Sequence, residues 1–196
     1  MYKVKKIGYI TGEEIKIQKR RKRITRDSKI WKIWRTTITM ATCIYCASMN
    51  GKILADDDPL VDVIPVHPNC KCIIERLLGI LAGTVTNDEE DGVDVFFLNH
   101  GHLPTYYISS KEATMKGWDK LKGNLAEVLP GRVIGGDVFQ NRKKKLPTKS
   151  GRIWYEADFD YTRGYRNSCR LLYSNDGLLF VTYDHYVSFY EVVVGD

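Results

Sequence analysis

A chain of 196 residues with a formal charge of +6 contains no apolar run near the roughly 20 residues that a membrane-crossing helix needs, so no membrane partner is expected. Its length accommodates one domain, or a small module followed by a domain of about 110 residues. The charge is uneven: residues 1–86 carry 16 Lys and Arg against 8 Asp and Glu, whereas residues 87–196 carry 14 against 16.

Residues 1–30 hold most of the front excess, concentrated in "IKIQKRRKRITR". So much charge with so little apolar content reads as a solvated basic arm, and nothing in it specifies a nucleic-acid site. The opening "MYKVKKIGYITGEE" has no apolar core like that of a secretory signal. Any export is therefore expected to use another route.

Residues 31–78 form a cysteine-rich module. "CIYC" supplies Cys43 and Cys46, and "HPNCKC" supplies Cys70 and Cys72 with His67 just before them. This count of soft ligands suits tetrahedral zinc, although not with all five at once. Two disulfides, or reduced cysteines without metal, are the competing readings. A structural zinc is the expectation, since a small module gains folding free energy from a metal and a chain folding in a reducing compartment keeps its thiols. The stretch "LLGILAGTVTNDEEDG" then passes from apolar to small to acidic residues, which places a linker at 79–86.

Residues 87–196 begin with helical signals. Asn87 or Asp88 can cap a helix starting near Glu89 and carrying Val93, Phe96 and Phe97 at helical spacing. Ser109 or Ser110 precedes Glu112 in a near-capping-box arrangement, and "NLAEVL" fits a third short helix. After Gly131 the texture changes to short β-branched and aromatic runs: "RVIGGDVF", "IWYEADFDY", "CRLLY", "LLFVTY" and "SFYEVVV". "SNDG" is a hairpin signal, read as a tight primed turn. The pattern predicts an α+β domain, with N-terminal helices packed on one face of a five-stranded antiparallel sheet and the other face open to a ligand.

From Arg132 to Arg170 there are 10 basic residues against Asp137, Glu156, Asp158 and Asp160, a local cationic region suited to a polyanion such as RNA. Alternation in "IWYEADFDY" places Trp154, Glu156, Asp158 and Asp160 on one face and Ile153, Tyr155, Ala157 and Phe159 on the other. Taken singly, Glu156 reads as a solvated ion-pair partner and His185 as a structural histidine. Together with Arg166 and Arg170 they carry more meaning. Cleavage of RNA through its own 2′-hydroxyl needs a base, an acid and cations around the phosphorus, and this set holds one of each.

The segments "KGNLAEVLPGRVIGGDVFQNR", "KLPTKSGRIWYEADFDYTRGYRNSCRLLYS" and "TYDHY" make residues 87–196 resemble the barnase family of bacterial ribonucleases. The resemblance implies a microbial ribonuclease fold that works without a catalytic cofactor. It places the general base on Glu156, the general acid on His185 and the phosphate-binding arginines on Arg166 and Arg170. The base-binding loop falls on Phe139 to Lys143, with Phe139, Asn141, Arg142 and Lys143 as its contacts, and Tyr186 is the aromatic beside the base. Two positions depart from the pattern. Ser110 stands where the family has a phosphate-directed lysine, leaving Lys111 one residue later as the candidate substitute, about 100 degrees around the helix. Lys143 stands where a glutamate commonly accepts guanine N–H groups, and a lysine cannot accept, which weakens the implied guanine preference.

The front segment "WRTTITMATCIYCASMNGK" with "IPVHPNCKC" is similar to the end of the Mu F-like phage head morphogenesis domain, over about residues 31–74. The two resemblances together imply a polymorphic toxin: a phage-derived delivery module joined to an RNA-cutting domain. Its expected partners are RNA, a barstar-like immunity protein and a phage capsid or delivery apparatus, and its expected site of action is the target-cell cytoplasm. A second reading is a phage head-associated protein that binds nucleic acid without cutting it. Cleavage of RNA in the presence of chelator discriminates the two.

Overall fold

The β-branched and aromatic runs after Gly131 all become strands, and their period-2 pattern gives the sheet two buried faces. The computed structural model describes residues 24–195. In chain order the regular elements are β1 (Ile24–Thr36), α1 (Ile44–Met49), β2 (Ile53–Ala55), β3 (Cys72–Leu81), α2 (Val93–His100), β4 (Tyr107–Ile108), α3 (Ser110–Met115), α4 (Leu125–Val128), β5 (Val133–Phe139), β6 (Trp154–Asp158), β7 (Arg170–Ser174), β8 (Leu179–Thr182) and β9 (Tyr190–Val193), with short 3₁₀ turns at Pro59–Asp62 and Glu89–Asp91.

The helices are short and set by their caps. The Ser109 hydroxyl accepts the Glu112 amide at 3.2 Å and starts α3, as the capping pattern predicts. The helix expected near Glu89 starts later, at Val93, because Gly92 at ψ 155° is extended and caps it. Asp94 in its first turn is fully buried and accepts the Gly83 amide at 2.8 Å. The "SNDG" turn also differs from the expected primed form. Gly177 takes a positive φ of 90°, while Asn175 and Asp176 do not, and the Gly177 amide bonds to the Ser174 carbonyl at 3.2 Å.

The sheet has nine strands in the order β2-β1-β3-β9-β8-β7-β6-β5-β4. Strands β5 to β9 form the expected antiparallel meander. It is longer than predicted because both of its edges are paired: β4 runs parallel to β5, and β3 runs parallel to β9. An open β9 edge would leave a row of unpaired backbone groups. Gly79, Ile80 and Leu81 fill it, in register with Glu191, Val192 and Val193. Residues 79–86 are thus no linker, and Ile80 and Val85 are fully buried. The basic arm is also shorter than 1–30. Residues 24–30 belong to β1, whose apolar Trp31 and Ile33 bury their side chains, and residues 1–23 lie outside the described part.

Alternation sends Ala157, Leu171 and Val181 to one face, where they pack with Val93 and Phe97 of α2. It sends Trp154, Leu172 and Phe180 to the other. That second face is not wholly open, as had been expected. Trp31, Ile33, Ile53 and Leu77 of the front module cover its apolar half together with Leu146 and Phe189. A smaller core of Trp34, Cys46, Met49, Leu54 and Cys72 holds the module itself.

The β3–β9 seam depends on Gly79. A Cβ there would lie 2.8 Å from Cγ1 of Val193 and 3.2 Å from its Cγ2, and a β-branched partner has little rotamer freedom to retreat. Gly79→Ala is expected to lower stability by about 1–3 kcal/mol in urea unfolding, with much of the loss recovered in the Gly79→Ala/Val193→Ala double variant.

Candidate active site

Beyond the apolar half, the same sheet face becomes polar. Glu156 pairs in register with Asp137 on β5 and Leu172 on β7, and Asp158 pairs with Arg170. Trp154, Glu156 and Asp158 therefore project on one side, with the tryptophan under the front module and the carboxylates beyond its edge.

Asp158 is fully buried, and a buried carboxylate must be paired. Arg166 donates to both of its oxygens at 2.6 Å, through Nε and Nη2. Arg170 Nε lies 2.9 Å from Asp158 Oδ1, and its Nη1 donates to the Asn167 and Cys169 carbonyls at 2.7 Å. The two arginines differ in access: Arg170 is 3% exposed, while 24% of the Arg166 side chain is open. Burial opposes the charge on Arg166, but the Asp158 hydrogen bond and charge, aided by Glu156, raise its pKa. The expected cradle of two phosphate contacts is thus one accessible guanidinium, Arg166, and one buried behind it.

Tyr186 and His185 come from the β8–β9 loop. Their φ values of 68° and 53° are both left-handed, a conformation that non-glycine residues adopt only when the surroundings enforce it. Asp184 enforces it, accepting the Thr182 hydroxyl at 2.9 Å, the Ser188 amide at 2.9 Å and the Ser188 hydroxyl at 2.5 Å. Thr182 Oγ1 in turn accepts the Tyr186 amide at 3.0 Å. The loop leaves His185 exposed and aims the Tyr186 hydroxyl at Glu156 Oε2, 2.6 Å away. Burial, and then the hydrogen bond and charge of Glu156, raise the Tyr186 pKa, so it remains a donor.

Glu156, His185 and Tyr186 share a cleft of about 680 Å³ with Phe139, Asn141, Arg142, Lys143 and Lys145. The Phe139 and Tyr186 rings stack 5.0 Å apart. The loop between β5 and β6 turns through Asn141 and Lys144, at φ 43° and 49°. The Asn141 amide is engaged within the loop. Its Nδ2 donates to the Leu146 carbonyl at 2.9 Å and its Oδ1 accepts the Leu146 amide at 3.2 Å, which fixes the shape of the loop. Arg142 and Lys143 are exposed on the rim. Lys111 is exposed on α3 and is absent from the cleft lining, whereas the Ser110 amide donates to Asp137 at 2.9 Å, next to Glu156 in the sheet.

Sequence reasoning missed Lys145. Its Nζ donates to the Val187 carbonyl at 2.7 Å, its own carbonyl accepts the Ile53 amide at 2.7 Å, and burial, then the charge of Lys143, lowers its pKa. Three lysines in a row gave no sign that the third ties two loops together. A second cleft, of about 600 Å³, is lined by Asp88, Asp91, Tyr106, Arg132 and Asp160, with no histidine among the described residues that line it.

The cysteine ligands converge in the front module. Cys43 Sγ and Cys46 Sγ each lie 3.2 Å from His67 Nε2, and Cys46 Sγ lies 3.9 Å from Cys70 Sγ. Cys72 joins Cys46 and Cys70 in a second triad. All five cysteines of the chain are free thiols, so this arrangement holds no disulfide. Backbone and side-chain donation from Cys46 lowers the Cys43 pKa, donation from the Cys72 and Val66 amides brings Cys70 to about 7, and burial raises Cys46. His67 Nδ1 lies 2.8 Å from the Pro68 carbonyl, which makes that nitrogen the donor and turns the Nε2 lone pair to the thiols.

Asp158→Ala would leave two arginines without their shared counter-ion. Unfolding measurements should show a loss of about 3–5 kcal/mol, well above the effect of removing an exposed carboxylate such as Glu112.

Comparison with known proteins agrees with this geometry. A ribonuclease family model matches residues 97–193. A ribonuclease of Heyndrickxia coagulans is 50% identical over 102 residues, covering 52% of this chain and 94% of that protein. Ribonucleases of Bacillus intermedius and Bacillus pumilus are also 50% identical over 102 residues, covering 52% of this chain and 63% of their own length, so the chain spans less than two thirds of those two relatives. The matched stretch runs from α2 to β9 and holds Glu156, Asp158, Arg166, Arg170, His185 and Tyr186. With nearly the whole Heyndrickxia protein aligned at this identity, the chain belongs to the ribonuclease family.

Proposed function

We propose that the protein is an endoribonuclease that cleaves single-stranded RNA by transesterification through its 2′-hydroxyl, without a catalytic metal. The observation that carries this reading is the shared cleft of Glu156 and His185, with the Asp158-held arginines on the same sheet face as Glu156. Glu156 takes the 2′-proton as the 2′-oxygen attacks phosphorus. His185 gives its proton to the departing 5′-oxygen, leaving a 2′,3′-cyclic phosphate. The roles then reverse: His185 takes a proton from water, the new P–O bond opens the ring, and Glu156 returns its proton to the 2′-oxygen.

Arg166 gives Nε and Nη2 to Asp158, and its outer edge meets the phosphate. Arg170, buried beside it, adds positive potential in a low-dielectric setting. Tyr186 holds Glu156 in position and, with Phe139, supplies the aromatic wall against which a base stacks. DNA has no 2′-hydroxyl and is bound without being cut. Any metal held by the cysteine module plays a structural part only.

The wider role we infer is that of a toxin of polymorphic type. The Mu F-like resemblance of residues 31–74 supports delivery by a phage-derived apparatus, with RNA cleavage in the target-cell cytoplasm. A cleft rimmed by Arg142, Lys143 and Lys145 favours a barstar-like inhibitor with an acidic surface, which associates fast and in a salt-sensitive manner.

Full-length protein incubated with RNA and EDTA should yield 2′,3′-cyclic phosphate ends. Glu156→Ala and His185→Ala should each slow cleavage by roughly 10²- to 10⁴-fold. Absence of cleavage, or rates unchanged in both variants, overturns the assignment. On the specificity side, Lys143→Glu restores an acceptor to the loop and should raise kcat/KM for guanine over adenine dinucleotides by at least about tenfold, as expected of a charge-assisted hydrogen bond of about 1.5–3 kcal/mol.

A further inference from the structure

The segment from Asp56 to Lys71 crosses the front module with a single 3₁₀ turn and no strand of its own. Few backbone bonds anchor it, and its His67 and Cys70 sit in one tight turn, where the Cys70 amide donates to the His67 carbonyl at 3.1 Å. Opposite them lies α1, with Cys43 at its N-cap and Cys46 in its first turn. A tetrahedral zinc with Zn–S near 2.3 Å and Zn–N near 2.0–2.1 Å places sulfurs about 3.8 Å apart, and sulfur about 3.5 Å from nitrogen. The observed separations are 3.9 Å for Cys46 to Cys70 and 3.2 Å from His67 Nε2 to each of Cys43 and Cys46. These three separations are near what a metal requires; Cys46 is shared by the triads Cys43–Cys46–His67 and Cys46–Cys70–Cys72, so a small movement of Cys70 toward the first triad completes a four-ligand shell.

From α1 the chain runs directly to the catalytic half. The Gly51 amide donates to the Trp34 carbonyl at 2.8 Å and the Ile53 amide to the Lys145 carbonyl at 2.7 Å. Ile53 is buried with Leu146 and Trp154 in the shared core, and Lys145 reaches on to Val187 in the histidine loop. Only residues 47–52 thus separate a candidate metal ligand, Cys46, from Ile53, whose contact seats the 139–146 loop.

We propose that Cys43, Cys46, His67 and Cys70 bind one zinc ion, and that this ion positions the RNA-facing loop through the Ile53–Lys145 hydrogen bond. Zinc does no chemistry on RNA in this arrangement; it pins α1 to the 56–71 segment and so holds β2 against the loop. The coupling to RNA rests on the ribonuclease reading, whereas the metal site does not.

Full-length protein purified with zinc should contain one zinc per chain by elemental analysis, and the cobalt-substituted form should show thiolate charge-transfer and tetrahedral d–d bands. Cys43→Ser and Cys70→Ser should lose the metal, while Cys72→Ser should keep it. Stripping zinc should speed hydrogen exchange in residues 53 and 139–146 by about tenfold or more and raise KM for a dinucleotide substrate by roughly tenfold, with kcat changed less; a coupling of this size is typical of linked sites. Readdition of zinc should restore both. Failure to bind zinc, oxidation of the thiols to disulfides in the purified protein, or the reverse pattern for Cys70 and Cys72 overturns the ligand set. Zinc binding with exchange unchanged on removal overturns the coupling. If no RNA is cut at all, the enzymatic reading fails, and metal content and hydrogen exchange still decide this one.

Discussion

A carboxylate with no access to water, held between two guanidinium groups, organises the polar half of this protein. Burying Asp158 is unfavourable unless its charge is answered nearby, and the answer fixes where Arg166 and Arg170 must lie. Glu156 is two residues back on the same strand face. The location of the positive charge is therefore set by a structural ion pair before any substrate arrives, and preorganisation of this kind is the largest lever a protein has over a reaction that develops negative charge. Tyr186 completes the arrangement from the opposite loop, so Glu156 is fixed by a hydroxyl on one side and by the strand ladder on the other.

The apolar half of that face is organised by a different constraint. Among the described residues no helix covers Trp154, Leu172 and Phe180, since α2 packs on the reverse side. The front module supplies Trp31, Ile33 and Ile53 for this purpose. Its position on the sheet follows from two needs met by one element: β3 closes the β9 edge, and the strands beyond it fold over the exposed aromatic residues. The result is a continuous sheet in which the boundary between module and catalytic half is a row of hydrogen bonds.

Much of this was legible in the chain. The five central strands could be read because their runs alternate and are β-branched or aromatic, and α3 could be read because Ser109 stands three residues before Glu112. Alternation also put Glu156 and Asp158 together on the face away from α2. What it could not distinguish was exposure: Glu156 lines a cleft while Asp158 is sealed, a difference made by arginines eight and twelve residues further on. Asn141 looked like a base contact because of its place in a motif, yet its amide serves the loop backbone. The segment 79–86 looked like a linker because small residues usually mark one. Gly79 is small for another reason, the close approach of Val193, and a parallel pairing between strands so far apart in sequence leaves no local trace. The strand at 24–30 was masked by its charge.

The seam between β3 and β9 also sets the order in which the protein can come into being. Its partners, Gly79 and Glu191, are separated by more than half the chain, so the contact is among the most non-local in the fold, and contacts of that kind form late and slowly. His185 and Tyr186 lie only a few residues before β9. The loop they sit on runs directly into β9, the strand that β3 pairs with. The loop that carries both residues is therefore anchored on one side by a strand whose own partner lies at the front of the described residues, so a change in β3 is transmitted to the cleft through β9 and not through any local segment.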